Sequence, residues 1–157
     1  MAVPQAGLRY AMGINMKKDV LVSISGLQYE LDKEEAVEVI SVGEYYIRNG
    51  KHYVVYEEIL EDMVGITSCT IKITEKQIDI IKRGANNVHM VFQENTKNTT
   101  YYQTPYGELQ VGIYTTQINV TEEADKIIVD INYGLDINYA FISDCQIQLK
   151  ISSRKQN

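Results

Sequence analysis

Few residues of this 157-residue chain could do chemistry, and the spacing of most argues against it. Glu57-Glu58 and Glu122-Glu123 are adjacent carboxylates. Adjacent residues of a strand point to opposite faces, so neither pair can act as an acid–base dyad. Cys69 and Cys145 lie far apart amid apolar residues and read as small buried hydrophobes, not as a disulfide or metal ligands. His52 and His89 show no zinc-ligand spacing, so no metal site is expected. His89 is in phase with Val91 and Gln93 and is expected to face outward. There is no glycine-rich phosphate loop, no G-x-S-x-G elbow and no H-E-x-x-H, and no cofactor is expected. Asn98-Thr99-Thr100 and Asn119-Val120-Thr121 match the glycosylation sequon and are expected to be chance matches, since Met1 to Ile14 read as a poor signal peptide.

What remains are polar residues that hairpin register turns inward. Asn49-Gly50, between YYIR and KHYVVYEE, is the strongest hairpin signal in the chain. A type I′ turn needs positive φ at both central residues, which Asn and Gly supply. A two-residue loop there sets Arg48 opposite Lys51, Ile47 opposite His52 and Tyr45 opposite Val54. One face then carries Glu44, Arg48, Lys51 and Glu57. The other carries Tyr45, His52, Val54 and Tyr56, with Glu58 its one acid, and is the inner face. Gly43 falls opposite Tyr56 and gives its ring room. A four-residue loop from Gly84 to Asn87 sets Arg83 opposite Val88, on the apolar face of its strand. Glu58 and Arg83 are therefore expected as an internal ion pair or a polar ligand site. The competing reading puts both heads in water at the barrel mouths. Thr100, Tyr102 and Thr104 alternate with Thr99, Tyr101 and Gln103, as in an edge strand or a hydroxyl-lined wall.

The elements that must position these residues are strands. Ile, Val and Thr number 44 and Tyr 12, against 15 Leu plus Ala. That balance suits pleated, half-buried surfaces rather than a helical bundle. Alternating runs near 19–30, 35–48, 51–61, 66–74, 76–83, 87–95, 98–104, 107–120, 125–138 and 140–152 read as strands joined by short loops. Gly84 and the corner at Pro105 and Gly107 are expected turn positions beside Asn49 and Gly50. A meander of eight to ten antiparallel strands leaves two exposed edges unless it closes, so a single up-and-down barrel is expected, with a β-sandwich as the alternative. Ile127, Val129, Ile131, Tyr133 and Leu135, with Phe141, Ser143, Cys145, Ile147, Leu149 and Ile151, form the expected core stripe of the last two strands.

Residues 1–15 are not periodic and read as an irregular extension before one barrel domain over 16–157. The net charge of −6 gives no overall attraction to nucleic acid or anionic membrane. No apolar run approaches the roughly 20 residues that span a bilayer, and the cytoplasm is the expected compartment.

The segments IRNGKHYVVYEE (47–58), TIKI (70–73), IKRGANNVHMVF (81–92) and YQTPYGELQVGIYTT (102–116) together resemble the bacterial YwiB-like family of uncharacterised proteins, domain of unknown function 1934. The resemblance runs from about Met16 to Ile151. One departure is that Arg83 is directly followed by Gly84, which bears on the loop register there. The resemblance implies a calycin-type, lipocalin-like barrel and no established activity. Its recurrent positions fall here on Tyr56, Glu58, Arg83, Tyr102, Thr104, Tyr106 and Gly107. The functional expectation is a noncatalytic binding module for a small, partly apolar ligand, with Tyr56, Glu58, Arg83, Tyr102 and Thr104 as contacts. The alternatives are a filled structural or protein-interaction barrel, as a homo-oligomer, and, more weakly, an enzyme using Glu58.

Overall fold

A computed structural model describes residues 16, 18–26, 38–59, 65–84 and 87–154. They form ten strands: β1 (Asp19–Ser25), β2 (Glu38–Arg48), β3 (Lys51–Glu58), β4 (Thr67–Ile73), β5 (Gln77–Gly84), β6 (Val88–Gln93), β7 (Thr96–Thr104), β8 (Gly107–Glu123), β9 (Lys126–Ile137) and β10 (Ala140–Ser153). All ladders are antiparallel, and the sheet order is β6-β5-β4-β3-β2-β1-β10-β9-β8-β7. The first and last strands pair with each other, so the sheet curls into a nearly closed up-and-down barrel. Hydrogen-bonded closure is missing between β6 and β7, which neighbour in sequence but sit at the two ends of the order. The expected barrel and its strand count are borne out. Among the described residues no helix is long and apolar enough to cross a membrane.

Alternation dictates the core. Inward rows such as Val54-Ile71-Ile80-Met90 and Ile24-Leu149-Val129 join register partners across successive strands. Ile71, Ile73, Ile78, Ile80, Ile127, Val129, Ile131, Ile147, Leu149 and Ile151 have no solvent-accessible surface, so the barrel is filled around them. Asn49 (φ 53°) and Gly50 (φ 73°) form the expected turn, and Tyr45 pairs with Val54 as the register requires. Gly43 does face Tyr56: a Cβ there would lie 2.9 Å from the Val55 carbonyl oxygen and 3.3 Å from Tyr56 Cβ.

Two placements are corrected. Arg83 is exposed and pairs with Ser68, while Lys82 pairs with Val88 and points inward. The reason lies in Gly84, which at φ 122° extends the β4–β5 ladder opposite Thr67. The β5–β6 connection between paired residues is thus one residue longer, and the inward phase shifts by one. Phe141 is 63% exposed rather than in the core. A bulge between Phe141 and Ser143 sets Phe141 opposite Asp136 and on the outer face, while Cys145, Ile147, Leu149 and Ile151 keep the expected inward phase. Residues 27–37, where the ends of the first two expected strands fall, and the extension 1–15 lie outside the described residues.

Candidate functional site

Along β3 the inward positions are His52, Val54, Tyr56 and Glu58. Six residues of strand, roughly 20 Å, separate His52 from Glu58, so this strand carries two distinct polar groups near its two ends.

Toward the C-terminal end of β3, Glu58 meets Lys82 of β5 at 2.8 Å. The Lys82 side chain is 5% exposed and that of Glu58 16%, so the pair is largely buried and reaches the surface through the carboxylate. The Cys69 thiol of β4 donates to the same oxygen, Glu58 Oε1, at 3.3 Å. Cys69 itself pairs with Lys82 and with Tyr56 across the ladders. Burial first, then the Glu58 charge, pushes the Cys69 thiol up to about 12. The Tyr56 hydroxyl is buried beside Cys69 with no nitrogen or oxygen partner among the described residues. Burial, with the neighbouring thiol and carboxylate, raises it far above an ordinary phenol. An ion pair taken out of water is costly unless its remaining hydrogen-bonding capacity is used. Both contacts of Glu58 fall on Oε1, and the Tyr56 hydroxyl has only the Cys69 thiol to bond and no nitrogen or oxygen partner among the described residues.

At the other end of β3, Tyr45, His52 and Glu122 form a chain across β2, β3 and β8. Tyr45 Oη lies 2.6 Å from His52 Nδ1, and His52 Nε2 lies 3.2 Å from Glu122 Oε1. The neutral ring with its proton on Nε2 satisfies both contacts: Tyr45 donates to Nδ1 and Nε2–H donates to the carboxylate. His52 is 2% exposed, and its burial lowers its proton affinity against the opposing pull of Glu122. The Tyr45 hydroxyl is shifted the opposite way, upward, by burial and by the Glu122 charge. Glu122 reaches this position through a bulge between Thr115 and Gln117, which switches the inward phase of β8 from Ile113 and Thr115 to Ile118, Val120 and Glu122.

The structure therefore unites Tyr56 and Glu58, two of the expected contacts, with Lys82 in the place expected of Arg83. Tyr102 is half-buried on β7, packed against the core opposite Leu109. Thr104 shapes the β7–β8 turn: its hydroxyl donates to the Gly107 carbonyl at 2.6 Å and accepts from Tyr106 N–H at 3.1 Å. His89 faces outward as expected, bound to Asp79 at 2.8 Å. Sequence reading passed over three residues. Lys82 follows Ile78 and Ile80 in strict alternation, and that pattern was the signal available, whereas Glu122 needed a bulge that no residue type announces. His52 was already on the inner face with Tyr45, and a buried imidazole among aliphatics was the signal available. Among the described residues no group of three or more His, Cys, Asp and Glu could hold a metal ion.

Residues 22–149 match the family model "Domain of unknown function (DUF1934)". The chain is 24% identical over 104 residues to the "Uncharacterized beta-barrel protein YwiB" of Bacillus subtilis (strain 168), covering 66% of this chain and 72% of that protein. Its fold superposes on the crystal structure of the B. subtilis ywiB protein with a TM-score of 0.67 at 19% identity, covering 89% of this chain and 96% of the other. At that identity the superposition speaks for the shared barrel. The family match, which spans most of the chain, places it in the DUF1934 family of β-barrel proteins.

Proposed function

We propose that the protein is a noncatalytic binding module whose ligand is seated on Tyr56, Glu58, Cys69 and Lys82. The observation that carries this reading is a buried Glu58–Lys82 pair next to a buried Tyr56 hydroxyl without a nitrogen or oxygen partner. Open hydrogen-bonding capacity in a dry wall favours a molecule that fills it. Glu58 Oε2 calls for a donor, which makes an amine, hydroxyl or amide head the fitting chemistry. The filled aliphatic rows beyond the cluster leave the apolar part of the ligand at the barrel end, not deep in the core. An enzymatic reading that uses Cys69 as nucleophile is weaker, because a thiol pushed up to about 12 supplies little thiolate.

Titration with octylamine, followed by amide chemical shifts, tests this. The wild-type protein is expected to show saturable shifts at residues 54–58, 67–71 and 80–84. Tyr56→Phe removes only the unpartnered oxygen, so the fold should survive, and the dissociation constant should rise at least threefold. Unchanged affinity in Tyr56→Phe, or shifts confined to other strands, would overturn the assignment.

A further inference from the structure

The β6–β7 seam is held open by the chain itself. A two-residue turn, Glu94-Asn95, joins the strands. Continued pairing from that turn would set Gln93 opposite Thr96, Phe92 opposite Lys97 and Val91 opposite Asn98. Paired residues must share a face. Yet Phe92 is inward and Lys97 exposed, while Val91 is on the outer phase of β6 and Asn98, opposite buried Ile113, on the inner phase of β7. The two strands are out of phase and cannot zip together in that register. The turn end is pinned instead to β8: Asn95 N–H donates to the Thr115 carbonyl at 2.8 Å, and Ile118 N–H, beside the bulge, donates to Glu94 at 3.3 Å.

Beyond the pinned end lies a cavity of about 240 Å³. Its β6 wall is His89 and Val91, and its β7 wall is the continuous run Asn98, Thr99, Thr100 and Tyr101. Four consecutive residues line it only if the main-chain edge of β7 is itself the wall. That edge has no strand partner among the described residues. The Asn98 side-chain amide, Nδ2, is buried there without an acceptor.

We propose that the β7 edge of this seam is a docking site for one extended peptide segment of a partner protein, added as a strand. An exposed strand edge offers alternating N–H and C=O groups, and a peptide main chain is the complement of that pattern. A peptide carbonyl would also give Asn98 Nδ2 its missing acceptor. An inserted strand takes its own register on β7, so the phase conflict that keeps β6 away does not affect it. His89, held by Asp79, and Tyr101 flank the entrance and would meet the added side chains.

The test uses the full chain and a blocked hexapeptide of alternating Thr and Val, read by hydrogen exchange at single amides. At saturating peptide, those β7 amides that face the seam should exchange at least tenfold more slowly, while amides bonded to β8 change less than twofold. The same peptide N-methylated at alternate residues should protect nothing. No slowing, equal protection by the N-methylated peptide, or protection from self-association without peptide would each overturn the proposal.

Discussion

Lys82 is 4% exposed and meets the Glu58 carboxylate at 2.8 Å. Glu58→Gln takes the carboxylate from a buried amine and should cost on the order of 3 kcal/mol in urea unfolding. The double variant Glu58→Gln/Lys82→Met should recover part of that loss, because neither charge is then left behind. A double variant no better than the single would argue that the pair is not energetically coupled. Cys69 gives a chemical readout of the same environment. With its thiol raised to about 12, native protein at pH 8 should react with iodoacetamide at Cys69 roughly a thousandfold more slowly than the unfolded chain. Equal rates would contradict the burial described. His52 provides the pH dependence. Burial lowers its proton affinity in the fold, whereas the unfolded chain binds a proton near pH 6.5. Above that pH the ring is neutral in both states and costs nothing. Below it the unfolded state binds the proton first, so stability falls by up to about 1.4 kcal/mol per pH unit until the folded ring titrates. Comparing the pH dependence of unfolding in wild type and His52→Gln checks this, and a flatter profile is expected for the variant.

Strand phase decides which of these residues meet. Deleting Thr116 should remove the β8 bulge yet keep Ile118, Val120 and Glu122 inward, because Thr115 and Gln117 already pair with the adjacent Tyr133 and Asn132. The expected result is a folded protein that still unfolds cooperatively on heating, and loss of the cooperative transition would show that the phase of β8 depends on the extra residue. The same logic explains what sequence could reveal. Asn49-Gly50 fixes a two-residue loop, so Tyr45, His52, Tyr56 and Glu58 could be placed inside from spacing alone. At Gly84 the loop length depends on a glycine at φ 122° that prolongs the ladder, and counting residues put Arg83 where Lys82 belongs. Phe141 and Glu122 were misplaced or missed for one reason: a bulge shifts phase by one residue, and no side chain near either marks it.

At the scale of the molecule, ten strands close through β1 and β10 and leave their gap between β6 and β7. The core is filled by aliphatic rows, with one acid–lysine cluster toward one end and one tyrosine–histidine–glutamate chain toward the other. A barrel that served only as a scaffold would gain nothing from an ion pair in its wall, since apolar residues of similar volume are often as stable there. We propose above that the Glu58–Lys82 cluster holds a small molecule. Native mass spectrometry of the protein purified from its own host, as wild type, Glu58→Gln and Arg83→Gln, tests it most directly. One retained mass is expected on wild type and on Arg83→Gln, with Glu58→Gln folded by circular dichroism but bare. Wild-type protein carrying no ligand, or all three carrying it equally, would rule out a small molecule seated on this cluster.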